Sequence, residues 1–216
     1  MTVSKRATTF AAISALVLVL GVAGRSSPGD ASALSLRATV TNAQTPGALT
    51  ITLSRWSTET ERAPLLTALA APPPAPAASS STAGRGRGRG GAPPPPPSPL
   101  AKLSAAIKAA PTLGYIWTDG VTGYSIKYAW RSAGTGETER IVLVTERRLD
   151  SHAPDWAPAS DAAGDADFTL IEMRLDGHGT GEGKTSLSTK VTIDTAANTL
   201  ALDGYAATPA LLKVTR

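Results

Sequence analysis

"TLIEMRLDGHGTGEGKTSLSTKVTID", Thr169 to Asp194, decides between two unrelated kinds of protein. Its middle, Gly177 to Ser188, sets glycines at alternate positions and runs through Gly-Lys-Thr, which suggests a phosphate-binding loop. Such a loop needs glycine, four residues, then Gly-Lys-Ser/Thr, and a following helix whose free N–H groups meet the phosphates. Counting back five from Gly183 gives His178, and the flanks are not helical. On one side Ile171, Met173 and Leu175 alternate with Glu172, Arg174 and Asp176; on the other Leu187, Val191 and Ile193 are set among polar residues. Period two marks a strand, so the glycines join two half-exposed strands in a hairpin. The alternation predicts a single antiparallel register, with Leu175 facing Leu187, Ile171 facing Val191, and Glu172 facing Lys190 as an exposed ion pair.

The same period governs most of the chain. "LSLRATVT" and "LTITLSRW" come first, and "LGYIWT", "GYSIKYAWR", "ERIVLVTERR", "TLALDGY" and "PALLKVT" come later, mostly separated by Gly, Asn and Asp turns. "RIVLVT" is continuously apolar and should be a central strand covered on both faces. Two segments read as helices. "STETERAPLLTALA" offers Thr58 and Glu61 as a capping box, with Pro64 either kinking the helix or starting a new one. Ser98 can cap the second helix with Pro99 in its first position, and Leu100, Leu103, Ile107 and Ala110 form an apolar stripe. The fold class is therefore mainly β (α+β): an antiparallel meander of about nine strands forming a barrel or sandwich, with two short helices between the second and third strands.

Residues 1–33 read as an export signal. Lys5 and Arg6 precede the uncharged stretch Ala7 to Gly24, and Ala31-Ser32-Ala33 offers a cleavage pattern. An uncleaved anchor is the competing reading, although the apolar stretch is short for spanning hydrocarbon about 30 Å thick. Residues 34–216 form one β-rich domain, and no membrane span is expected in the mature chain. Ala71 to Pro99 interrupts that domain with "APPPAPAASSSTAGRGRGRGGAPPPPPSP", a Pro/Gly/Arg-rich tract with no apolar residue larger than alanine. Such a composition predicts a disordered insertion. With no cysteine in the chain, disulfides and thiolate metal sites are excluded. The basic charge also dissolves on inspection: without Lys5, Arg6, Arg25 and Asp30 there remain 18 basic and 16 acidic side chains. Three of those bases, Arg85, Arg87 and Arg89, lie in the tract, so no nucleic-acid partner is expected of the folded surface.

The segments "GYIWT", "ERIVLVTERR", "FTLIEMRLD" and "GEGKTSLSTKV" resemble a family of exported bacterial proteins for which no activity is established. The resemblance spans roughly Leu49 to Ala70 and Leu100 to Val214, with the tract as an insertion. It implies export and brings no site residue with it. Pro64 departs from its pattern in the first helix.

Candidate sites are few. Tyr115, Trp117, Tyr124, Tyr128 and Trp130 are the ligand-binding candidates, since a row of strand aromatics can stack on a sugar or a peptide. Tyr124, Ile126, Tyr128 and Trp130 should share one strand face, for which core packing against the second helix or a facing sheet is favoured over binding. The acidic loop Asp150 to Asp167 fits no calcium-loop spacing. His152 and His178 fit no zinc pattern, and no G-x-S-x-G or S-x-x-K occurs. No catalytic residue, metal or cofactor is therefore assigned. The expected function is non-catalytic binding to an envelope component or another protein; the alternative is a small hydrolase acting on an envelope polymer.

Overall fold

A computed structural model describes residues 33–41, 47–70, 96–118, 123–134, 138–151 and 166–216. The signal reading at 1–32, most of the Pro/Gly/Arg tract (71–95) and most of the acidic loop, with His152 (152–165), lie outside the described residues.

Ten strands are arranged in chain order: β1 (Leu34–Val40), β2 (Ala48–Leu53), β3 (Gly114–Thr118), β4 (Gly123–Ala133), β5 (Glu139–Thr145), β6 (Thr169–Leu175), β7 (Thr180–Thr185), β8 (Val191–Asp194), β9 (Thr199–Leu202) and β10 (Leu212–Thr215). Helices α1 (Glu59–Ala70) and α2 (Pro99–Ala109) fall between β2 and β3, as the sequence predicts. Eight strands close into an antiparallel barrel in the order β1-β10-β7-β6-β5-β4-β3-β2, and β8 and β9 form a separate hairpin. Closure is possible because almost every strand carries a complete apolar face. Leu36, Ile51, Ile116, Ile126, Leu143, Met173 and Val214 all point inward and are buried. Eight strands enclose just enough room for side chains to fill, so the barrel is a packed core.

A second core lies outside the barrel wall. Leu65 and Leu66 of α1, Leu103 and Ile107 of α2, and Leu200 and Leu202 of β9 press on Tyr128, Val142, Val144 and Leu170. Thus β5 is buried on both faces, as its unbroken apolar run predicts. Among the described residues nothing covers the rest of the wall: on β10, β1, β2 and β3 every second residue is exposed.

The hairpin of the opening stretch exists in a different register. Ile171 pairs with Thr185, Glu172 with Lys184 and Leu175 with Gly181, so the second strand is "TGEGKT" and the turn is only Asp176–Gly179. Of these glycines, Gly179 has the left-handed φ of 78° that a turn requires. Gly181 serves another purpose, since a Cβ there would lie 1.9 Å from the Arg174 carbonyl oxygen. Gly181, Gly183 and Thr185 face Leu175, Met173 and Ile171 inside the barrel, small against large, so that the lumen is filled without overpacking. The expected pairings of Leu175 with Leu187, Ile171 with Val191 and Glu172 with Lys190 are therefore wrong, and the second arm of the expected hairpin is two strands, β7 and β8, broken at Ser186–Lys190.

Both helix starts match expectation. The Thr58 amide donates to Glu61 Oε2 at 2.9 Å and the Glu61 amide to Thr58 Oγ1 at 3.3 Å. In α2 the Ala101 amide donates to Ser98 Oγ. Pro64 neither ends nor restarts α1, and it lies on the exposed side of the helix together with Thr60, the residue whose carbonyl it cannot serve. Arg55 adds a two-pronged ion pair to Glu61, at 2.7 and 2.8 Å. That guanidinium, opposed by partial burial and aided by the Thr58 amide, pulls the Glu61 carboxyl down to about 2. A folded-state pKa below the ordinary 4.5 stabilises the fold above that value and ceases to do so as pH falls through about 2. Glu61 is partly solvated, so Glu61→Gln should cost only about 1 kcal/mol at pH 7. Urea unfolding at pH 7, 4 and 2 should show that difference shrinking towards zero.

Candidate functional site

The five aromatic candidates go to three places. A β-bulge between Ile126 and Tyr128 inserts an extra residue into β4, so the strand changes face partway along. Tyr124 and Ile126 point into the barrel, where the Tyr124 hydroxyl donates to the Leu149 carbonyl at 2.8 Å. Beyond the bulge Tyr128 and Trp130 point outward beneath the helices. The Tyr128 hydroxyl shares a hydrogen bond with Thr199 Oγ1, and the Trp130 ring lies 3.6 Å from the Arg62 guanidinium. The expectation of one shared face for Tyr124, Ile126, Tyr128 and Trp130 is corrected accordingly. Tyr128 does pack with Leu103 and Ile107 of α2, as its core-packing role implies.

Tyr115 and Trp117 alone of the five are exposed, at 44% and 43%. They occupy successive outward positions on β3, with ring centroids 5.6 Å apart and planes inclined by 35°. Trp117 faces Gly123 across the β3–β4 ladder, and a Cβ on Gly123 would come within 2.8 Å of the indole. The ring is thus laid over the glycine backbone with its far face towards solvent. Around the pair the wall is low and hydroxyl-rich. Thr50 and Thr52 lie opposite Trp117 and Tyr115 on β2, and Ser125 lies opposite Tyr115 on β4. The next strand contributes Ser35, Arg37 and Thr39. Apolar residues facing inward and hydroxyls facing outward are the reverse of a membrane barrel's pattern. Among the described residues no helix is long and apolar enough to cross a membrane.

Two other polar assemblies were not legible in the sequence. Under the β8–β9 hairpin, the fully buried Glu172 accepts from the Leu202 amide at 3.1 Å, from Arg140 Nη2 at 3.2 Å and from Arg174 Nη2 at 3.2 Å. Arg140 Nε also approaches Glu172 at 2.9 Å, an ionic contact off the hydrogen-bond axis, and Nη1 reaches Asp194 at 2.6 Å. Lys184, the lysine of the Gly-Lys-Thr run, is buried: its ammonium donates to the Tyr205 carbonyl at 2.9 Å. Arg174 and Lys184 both lie against the Tyr205 ring, at 3.7 and 4.4 Å. The clue available in advance was Arg140, a charge directly before the apolar run Ile141 to Val144. Its partners, 32 and 54 residues away, were not.

A shallow depression of about 340 Å³ opens at one end of the barrel, lined in part by Arg131, Glu139, Asp176 and Arg216. Both carboxylates are engaged. Glu139 pairs with Arg216 at 2.6 Å, and Asp176 accepts from the amides of His178 and Thr180 to close the β6–β7 turn. The Thr180 amide, opposed by desolvation and helped by the His178 amide, holds the Asp176 carboxyl below its ordinary value. A carboxylate kept ionised this way suits a turn and not a general acid.

The described residues thus form a closed eight-stranded antiparallel barrel, clad on one side by two helices and a hairpin, with an exposed aromatic pair on β3. No protein-family model matches it, and neither a curated protein nor a solved structure shows significant similarity.

Proposed function

We propose that this is an exported, non-catalytic binding protein that retains a glycan of the cell envelope on Tyr115 and Trp117. The observation that carries the reading is the exposed ring pair on a level, hydroxyl-lined wall. Large aromatics are normally drawn into a core, and a flat amphipathic ring offers a sugar both a stacking face and a nearby edge. Thr50, Thr52 and Ser125 are short, so they leave the ring faces open and place hydroxyls at the height of a stacked sugar. A peptide added as an extra strand fits less well, because the barrel wall has no free edge to extend. Export is supported by the signal-like residues 1–33.

Co-sedimentation with purified peptidoglycan sacculi, cellulose and chitin tests the proposal. At least one of these should retain the wild type, and Trp117→Ala with Tyr115→Ala should lower retention about tenfold or more, since stacked aromatics dominate such contacts. The melting temperature should stay nearly constant, because both side chains are surface groups. Undiminished retention by the double variant would sink the proposal.

A further inference from the structure

The same face carries a charge that says which glycans it takes, and the inference rests on the glycan reading above. Arg37 on β1 pairs in register with Thr50 on β2, and Thr50 pairs with Trp117 on β3. Arg37 and Trp117 therefore share one cross-strand row, two strand spacings or about 10 Å apart. The outward neighbours of Arg37 are Thr50 and Thr215 across the ladders, and Ser35 and Thr39 along its own strand. None is acidic. Among the other described arginines, Arg55, Arg62, Arg140, Arg148, Arg174 and Arg216 each hold a carboxylate at 2.6 to 3.2 Å, Arg131 lies over the Trp56 ring, and Arg147 donates to the Gly123 carbonyl. A cation placed among hydroxyls, in line with a stacking ring, is poised for a charge supplied from outside.

We infer that the bound polymer is a carboxylate-bearing polysaccharide lying across the strands, with one sugar on Trp117 and a carboxylate further along held by Arg37. Thr50, between them, stands where the intervening part of the polymer passes. The planar guanidinium can grip a carboxylate with two parallel N–H bonds, which an ammonium cannot reproduce. Lys213, opposite the acidic Glu182 on β7, already has a neighbouring charge of opposite sign and is not needed for this grip.

Affinity electrophoresis in carboxymethylcellulose and in hydroxyethylcellulose separates charge from stacking, because the two share a backbone. Polygalacturonate and its methyl ester form a second matched pair. Wild type should be retarded at about tenfold lower concentration of the carboxylated member, the effect of one charge-assisted contact. Arg37→Ala should erase that preference, Arg37→Lys should restore part of it, and Lys190→Ala, which removes the same charge from an exposed site off this face, should leave it intact. Circular dichroism of each variant establishes that the barrel is folded. Equal, Trp117-dependent retardation in charged and neutral matrices would overturn the inference and leave the glycan reading standing. A preference for charge that survives in Arg37→Ala would also overturn it. Absence of Trp117-dependent retardation in all four matrices would overturn both.

Discussion

Glu172→Ala should destabilise the protein by about 3 to 5 kcal/mol, the usual cost of removing one partner from a buried ionic cluster. The carboxylate is fully buried between the barrel wall and the β8–β9 hairpin, where it holds Arg140, Arg174 and the Leu202 amide together. Removing it sets two guanidinium groups side by side, since Arg140 and Arg174 are direct cross-strand partners on β5 and β6. Asp194 would still neutralise Arg140 in part, which favours the lower end of the range. Glu172→Gln keeps an acceptor for Leu202 and should cost about half as much. Urea unfolding monitored by tryptophan fluorescence gives both values. A loss below about 1 kcal/mol for the alanine variant would mean that the hairpin is held by Leu200 and Leu202 alone.

Trp130→Ala should cost about 3 kcal/mol, near the low end for emptying an aromatic site because Trp130 is only partly buried. Two losses combine. A void opens beneath α1, and the buried Arg62, whose Nε and Nη1 have no hydrogen-bond partner, loses the ring that faces its charge. Trp130→Phe should restore much of the loss by keeping an aromatic face under the guanidinium. Chemical denaturation of both variants measures the effect. Near-neutral stability of the alanine variant, joined to lost glycan retention, would transfer Trp130 from core to binding face.

What could be read in the sequence was whatever depends on neighbours along the chain. Thr58 with Glu61, Ser98 with Pro99, and the continuous apolar run of β5 are local statements, and each matches the structure. Register was misread where two demands on glycine look alike. Gly-x-Gly reads as turn chemistry, yet Gly181 and Gly183 are strand residues, the first kept small by the Arg174 carbonyl and the second by the Leu212 and Met173 side chains. Nothing in "GYSIKYAW" announces the bulge that turns the aromatic face; it shows only in the pairing of β4 with β5. Of the candidate site, Tyr115 and Trp117 could be named in advance. Their exposure could not, since it depends on which half of the wall the helices leave bare.

The seam between β1 and β10 sets the tempo of folding. Thr41 is bonded to Leu211 across 170 residues, while β1's other edge is satisfied at once by β2, the next strand in the chain. Long-range pairing must be paid for in chain entropy before it returns any energy, so closure should be the slow step. Until it occurs, β1 and β7 each present an unpaired edge. Such edges are templates for aggregation, and a newly made chain has to be chaperoned or kept dilute until its last strand arrives.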